Sequence, residues 1–516
     1  MSSPSDPGPP DPAAPPSVTS RHVAKGVGTT MLARLGSVIE VVAQPLYVLL
    51  FGLPAFGLYT VLWASVNLAE NVFDLGMTSA LQRTVPQAHD DREAAVSLAA
   101  AVLLGVLPCI VVALIASLLA PQIAPWFNVA PADQPRLIPA IRLFAWALPL
   151  WAYVEIATSA LRARRLFGPE IRLRVFWEQV FRLALALLFW ALGFGITGLL
   201  MAHLMSLSII CILSTRMLAR YYDLGALRGG IRGRMIGETA KAGLSVLPTN
   251  IVAQIFTDGP PVVLNMLLPG ARGATAAGLF GIARKIASIV QLFRTAFAYV
   301  LAPLASAATR ASKAEVQTLY AFTTRLTSAL VVPLAMVMAA GGTAILRLFG
   351  PGAAIAAGPL AILIVARMLE AMSGAAKPVQ QVVSGYGQQL PASIIGLLLA
   401  IGAGLLLVPL RPLTGMAFAV SLGIIFAAML PLWQLHRNDA LHPFEAPFGS
   451  VIGRAALVGI GGAAIAGGIV LSMPDWLELP LLLPVLLATL WLALRVALPH
   501  ADREVLGKLG RKLRLV

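Results

Sequence analysis

Four residues inside an apolar stretch carry groups able to do chemistry: Trp63, Asn67, Glu70 and Asp74, in GLYTVLWASVNLAENVFDLGM. Their spacing of four, three and four puts them on one face of a helix, with Asn71 about 100° off that face. A second set with the same spacing, Arg284, Ser288, Gln291 and Thr295, follows later in the chain. A carboxylate held in an apolar helix binds a cation or proton, or neutralises a guanidinium. Guanidinium and ammonium groups hold anions, and amides meet hydroxyls. The first stripe is acidic and the second is basic.

Other ionisable residues also fall in apolar stretches: Arg34, Glu40, Arg142, Glu155, Glu178, Arg182, Asp258, Lys285, Arg294, Arg367, Glu370 and Lys377. Each would cost about 2.5–3.5 kcal/mol at the centre of a lipid-facing helix, so together they must pair or line a hydrated cavity. Glu178 with Arg182, and Arg367 with Glu370, stand four and three residues apart and can neutralise each other on one helix. Arg284 and Lys285 have no carboxylate within four residues on their own helix. With Arg34 they are candidates for holding an anion. Arg294 and Lys377 lie nearer a helix end, where binding and snorkelling are both open.

Asp258 sits in TDGPPVV, residues 257–263, where two prolines either make a hinge or are tolerated by neighbouring helices. His203 reads as a packed, hydrogen-bonded residue. Cys109 and Cys211 stand alone, giving neither metal spacing nor a basis for a disulfide. Without a GxxxxGK[ST] run, ATP is not expected as the energy source. No cofactor, metal or catalytic group is expected.

The elements that must position these groups are membrane helices. The chain has 516 residues, 58% hydrophobic and 12% charged, with mean hydropathy +0.83, too apolar for a soluble protein of this length. Fourteen runs are each long enough to cross about 30 Å of hydrocarbon. They fall near 27–51, 56–80, 96–120, 138–160, 175–196, 198–217, 239–267, 274–305, 318–341, 356–378, 389–410, 412–434, 452–473 and 477–498. The alternating pattern of a β-barrel is missing, so the expectation is an all-α polytopic membrane protein.

The formal charge of +15 does not indicate nucleic acid, because it is concentrated in alternate loops. Arg162, Arg164, Arg165, Arg172 and Arg174 follow the fourth run; Arg216, Arg220, Arg228, Arg232 and Arg234 follow the sixth. Arg503, Lys508, Arg511, Lys512 and Arg514 close the chain. Positive loops face the cytoplasm, which puts both termini there. The Pro- and Ser-rich residues 1–22 read as a disordered tail and not a signal peptide. The basic residues 500–516 read as a topology signal or as a segment lying on anionic lipid.

An internal repeat organises the chain. The segment starting at Gly57 aligns without a gap to GLFGIARKIASIVQLFRTAF, starting at Gly278, so the second and eighth runs correspond. A weaker echo pairs LRARRLFGP, residues 161–169, with QQVVSGYGQQ, residues 380–389. Six runs separate corresponding helices, implying two six-helix bundles related by an axis along the membrane normal, a pattern found in transporters. The expected units are 23–220 and 238–436, joined by a linker at 221–237, with an extra helix pair at 437–499.

The opening Gly-Leu-Tyr, the polar second helix and DLGMTSALQRTVPQ, Asp74 to Gln87, resemble Wzx-type oligosaccharide flippases. These are polysaccharide biosynthesis proteins of the multidrug/oligosaccharidyl-lipid/polysaccharide exporter superfamily. The resemblance implies a bacterial inner-membrane transporter that moves undecaprenyl-diphosphate-linked oligosaccharide to the periplasmic leaflet through a cationic cavity. It implies membrane lipids, a polysaccharide polymerase and glycosyltransferases as partners. Substrate contacts would then come from Arg34, Arg284, Lys285, Arg294 and Arg367, with Asn67 and Gln291. Glu70, Asp74 and Asp258 would couple an ion or pair inside the lumen. The rival within the superfamily is a cation-coupled multidrug antiporter. An enzyme such as a polymerase or ligase is disfavoured, because no connection expected on the periplasmic side exceeds about twenty residues.

Overall fold

A computed structural model describes residues 37–164, 166, 171–223, 225, 233–309, 313–373, 376–383 and 389–515. Arg34, the 1–22 tail and the basic residues Arg165, Arg228 and Arg232 lie outside the described residues, as does the side chain of Thr295.

The described chain is helical, which is how an apolar chain satisfies its backbone in lipid. It opens with α1 (Ser37–Phe51), α2 (Leu53–Phe73), α3 (Met77–Gln87) and α4 (Asp91–Leu118). Next come α5 (Gln134–Phe144), α6 (Ala147–Ala163), a π-helical turn at Ile171–Trp177, α7 (Glu178–Ala191) and α8 (Gly195–Tyr221). The second part holds α9 (Gly233–Leu267), α10 (Ala271–Thr309), α11 (Lys313–Ala340), α12 (Gly342–Arg347), α13 (Ala357–Met372) and α14 (Ala376–Val383). It ends with α15 (Gln389–Leu407), α16 (Pro412–Asp439), α17 (Phe448–Ser472), α18 (Asp475–Ala497), α19 (His500–Val505) and α20 (Gly507–Lys512).

Ten helical segments among the described residues are long and apolar enough to cross a membrane. The other four expected runs coincide with α1, α2, α7 and α9, which are shorter or more polar.

One local expectation changes. The run at 56–80 is not one helix. Leu75 (φ 53°) and Gly76 (φ 73°) turn left-handed between α2 and α3. Asp74 holds the turn, accepting from the Gly76 N–H at 2.8 Å and the Thr78 hydroxyl at 3.2 Å. Position 76 must be glycine for a second reason: a Cβ there would lie 2.4 Å from the Gly243 carbonyl oxygen on α9. Of the two readings open for Pro260 and Pro261, the tolerated one fits α9, which continues through Gly259, Pro260 and Pro261 without a break. Packing against α2 and α10 along its length outweighs the lost backbone donors.

α2 and α10 cross where Gly57 meets Gly278 and Ala274. A Cβ on Gly57 would fall 1.8 Å from the Ala274 carbonyl oxygen, and one on Gly278 3.0 Å from Gly57 Cα. The two glycines that open the aligned sequence segments therefore touch. On the same side of the bundle, Asn128 and Asn265 clasp each other. The Asn128 N–H donates to Asn265 Oδ1 (3.0 Å) and its Nδ2 to the Asn265 carbonyl (2.9 Å), while Asn265 Nδ2 donates to the Asn128 carbonyl (2.7 Å). The Gly270 N–H adds a bond to Asn128 Oδ1 at 3.1 Å. The N-terminal helices are thus fastened to α9 and α10 at this end.

At the opposite end, which holds α19 and α20 and is called here the tail side, Arg325 of α11 grips Asp502 with two bonds of 2.7 and 2.9 Å. On the clasp side Arg347 pairs with Asp475 at 2.9 Å and with Glu478. Between these anchors Gly459 lies against Pro333 and Met336, and Gly462 against Val337 and Thr489. The pair α17 and α18 is therefore fixed to α11 along its length.

Candidate functional site

A cavity of about 490 Å³ lies between the N-terminal helices and the α9–α10 pair, within the 300–1,000 Å³ usual for ligand sites. One wall presents Asn67, Glu70, Asn71 and Asp74 from α2, with Glu155 of α6 and Arg174 of the π-helical turn. The facing wall presents Asn250, Gln254 and Asp258 from α9, with Arg284 and Lys285 from α10. Helix geometry accounts for both walls: 67, 70 and 74 share one face of α2, and 250, 254 and 258 share one face of α9.

The lining carries four carboxylates, at Glu70, Asp74, Glu155 and Asp258, and four cations, at Arg174, Arg182, Arg284 and Lys285. It is therefore balanced and not the purely cationic lumen that the resemblance implies. Three of the cations have identified carboxylate partners. Arg284 reaches Asp258 at 3.3 Å, Arg174 donates to Glu155 at 3.0 Å, and Arg182 pairs with Glu178 one turn away. Glu70 and Asp74 make no ion pair among the described residues: Glu70 accepts from Asn71 Nδ2 at 2.9 Å, and Asp74 holds the turn below it. Asn71 thus bonds within its own helix, not to a neighbouring one.

Aromatic rings close one end of the cavity. Trp63 stands edge-on to Trp151 at 5.1 Å, and Arg174 lies over the Trp151 ring at 4.8 Å. Behind them His203 is fully buried. Its Nδ1 meets the Tyr59 hydroxyl at 3.1 Å, and its ring lies 4.2 Å from Trp63 and 5.6 Å from Phe144. This is the packed, hydrogen-bonded histidine expected from the sequence. Cys109 and Cys211 are free thiols, and the described residues contain no cluster able to hold a metal.

The sequence candidates separate into two groups. Asn67, Glu70, Asp74, Asp258, Arg284 and Lys285 line the cavity, and Asn67 also reaches Asp258 across it. Gln291, Arg294 and Arg367 do not line it. Arg294 and Arg367 instead converge on Glu370, at 3.4 and 2.7 Å, among α10 and α13.

Sequence reasoning missed Arg174, which it counted only as a topology charge, and it missed Asn250 and Gln254. The signal for the α9 pair was available, because Asn250, Gln254 and Asp258 repeat at the helical spacing of four. Arg284 does have a carboxylate, supplied by the adjacent α9 and so out of reach of any count along its own helix.

The fold has relatives among solved structures. The lipid II flippase MurJ in an inward closed conformation aligns with TM-score 0.71 at 11% identity, over 90% of this chain and 97% of that one. An inward-facing multidrug resistance MATE family transporter of the MOP superfamily aligns with TM-score 0.61 at 18% identity, over 83% and 97%. The Vibrio cholerae MATE transporter VcmN aligns with TM-score 0.61 at 13% identity, over 83% and 99%. None of the curated proteins compared with the chain matches it in sequence. At the level of family, residues 50–351 match the model described as polysaccharide biosynthesis protein. The chain is therefore a multi-pass membrane protein that belongs to the polysaccharide biosynthesis protein family, with a fold similar to that of MurJ and of a MATE transporter of the MOP superfamily.

Proposed function

We propose that the chain flips an undecaprenyl-diphosphate-linked oligosaccharide from the cytoplasmic to the periplasmic leaflet of the bacterial inner membrane. The transport step is alternating access by two six-helix halves, 23–220 and 238–436, in a chain of fourteen crossings with both termini cytoplasmic. The tail side is then the cytoplasmic side, and the clasp side is periplasmic. Glycosyltransferases and a polysaccharide polymerase act before and after it.

The observation that carries this reading is the adjacent Arg284 and Lys285 on one wall of a cavity whose other wall offers amides, carboxylates and tryptophan faces. Two cations suit a diphosphate, and the amides and carboxylates suit sugar hydroxyls. The touching glycines at 57 and 278 support the two-half repeat.

Mechanism follows from the balanced lining. Arg284 rests on Asp258 at 3.3 Å, so an incoming diphosphate takes the guanidinium from a carboxylate already in place. The exchange keeps Arg284 paired both before and after cargo leaves, which limits the desolvation penalty at each stage. It also bears on Asp258, which Asn67 of the other half reaches across the cavity, giving the cargo a means to favour one arrangement of the halves.

The test is Arg284→Ala. Surface polysaccharide is expected to be lost while the protein level stays normal, and flipping of lipid-linked oligosaccharide in liposomes should fail. Unchanged glycan export in that variant sinks the assignment.

A second reading, a cation-coupled multidrug antiporter, is favoured by Glu70 and Asp74, which face the cavity without an ion pair among the described residues. It would show as drug resistance conferred on a pump-deficient host and lost in Glu70→Gln.

A further inference from the structure

The segment after α18 turns back on the bundle. Trp491 lies six residues, about 9 Å of helix, before the end of α18, and its Nε1–H donates to the Leu513 carbonyl at 2.9 Å. α19 and α20 therefore lead the chain past the end of α18 and then return it to the level of a tryptophan inside a helix long and apolar enough to cross the membrane. Two further contacts fix this hook. Arg325 of α11 grips Asp502 of α19, and Arg503 donates to the Leu515 carbonyl at 3.1 Å. Leu506 and Leu515 are buried in one apolar cluster with Leu498, Val316 of α11 and Val451 of α17.

The inner side of the hook is thus apolar and packed, whereas its outer side is basic. Arg511, Lys512 and Arg514 are exposed and make no ion pair among the described residues. Between them Leu513 is 39% exposed, and Trp491 is 37% exposed. Arg495, also exposed, lies over the Trp491 ring at 5.2 Å. From residue 479 onward the acids are Asp502 and Glu504. The first is held by Arg325, and the second lies 3.3 Å from His500. The neighbouring α17 contains no acid.

Tryptophan near the end of a membrane helix sits at the level of the lipid headgroups. An apolar side chain flanked by bases enters the headgroup boundary there while its neighbours meet lipid phosphates. A soluble acidic partner would also satisfy the bases, but it gives no reason for a hook that carries them back to the level of Trp491. We propose that Arg495, Arg511, Lys512 and Arg514, held beside Trp491 and Leu513 by this hook, form a binding surface for the anionic phospholipids of the tail-side leaflet.

The test uses the full-length chain with Leu513→Cys, in a background where Cys109 and Cys211 are replaced by Ala, and a bimane label at that position. Nanodiscs mix phosphatidylcholine with phosphatidylglycerol, and one lipid or the other carries brominated acyl chains that quench the label on contact. The ratio of the two quenching curves gives the preference for phosphatidylglycerol at residue 513. Each basic side chain at an anionic surface contributes about fivefold, so engagement of two of the four gives a preference of about 25-fold. Arg511→Gln, Lys512→Gln and Arg514→Gln together should reduce it to about fivefold or less. The preference should also collapse between about 0.1 M and about 1 M salt, as the screening length shrinks from about 10 Å to about 3 Å.

Two variants separate this surface from general charge. Arg136→Gln, Arg272→Gln and Arg411→Gln together remove as much charge from exposed positions on the clasp side and should leave the preference intact. Trp491→Phe keeps a ring but loses the donor to Leu513, and should lower the preference by loosening the hook. Equal quenching by both lipids, a preference insensitive to salt, or an equal fall in the two triple variants overturns the proposal, and an unchanged preference in Trp491→Phe overturns the part given to the hook. No cargo enters these measurements, so this surface and the flippase reading stand or fall separately.

Discussion

The clasp between Asn128 and Asn265 offers the sharpest test of how the two parts of the chain move. Asn265→Ala removes two of the hydrogen bonds at that end, the one accepted by its Oδ1 at 3.0 Å and the one donated by its Nδ2 at 2.7 Å. Each is worth about 0.5–1.5 kcal/mol net, so the arrangement fastened here should lose about 1–3 kcal/mol relative to one parted at this end. That corresponds to a rise of about 5- to 150-fold in the parted fraction. Thr60 lines the cavity within one turn of Gly57. It can report the change as Thr60→Cys in a background where Cys109 and Cys211 are replaced by Ala. A membrane-impermeant maleimide applied from the clasp side should label the Asn265→Ala form at least fivefold faster than its parent. Asn265→Asp keeps the Oδ1 acceptor and loses the Nδ2 donor, so it should fall between. Equal labelling of all three, at equal protein levels, refutes the idea that this contact holds the end shut.

Two further perturbations follow from the packing. Gly76→Ala forces a left-handed residue, at about 1–2 kcal/mol, and drives a Cβ to 2.4 Å from a backbone oxygen, at about 1–3 kcal/mol more. Its unfolding midpoint should drop well below that of Gly453→Ala, where nothing lies within 4 Å; equal midpoints would contradict the turn. Arg182→Leu leaves Glu178, 2% exposed, without its buried partner, at about 3–5 kcal/mol. The double variant with Glu178→Leu should recover most of that stability, and no recovery would mean that Arg182 acts mainly through the bond it donates to the Tyr59 hydroxyl at 3.4 Å.

The parts of this architecture that could be read from the sequence are the ones decided within a single helix. Apolar length identified ten of the expected crossings among the described residues, because the cost of moving a helix's side chains into lipid depends on that helix's own composition. The stripe Asn67, Glu70, Asp74 and the pairs Glu178–Arg182 and Arg367–Glu370 were legible because residues three and four apart must be neighbours on a helix. The break at Asp74–Gly76 was equally local, an aspartate two residues before a glycine, but an apolar run on both sides hid it.

What stayed hidden was the choice of partner between helices. Asp258 lies 26 residues before Arg284, and Asn128 lies 137 before Asn265. In each case the pairing exists because two helices pack side by side, and nothing in either segment specifies the neighbour. The same cause left Pro260 and Pro261 open between a hinge and a tolerated pair, because the support from α2 and α10 is not written in their own segment. It also altered the electrostatics. Counted along its own helix Arg284 appears as surplus charge, and counted in space it is balanced by Asp258, whereas Arg367 appears to have Glu370 to itself until Arg294 arrives on the same carboxylate from α10.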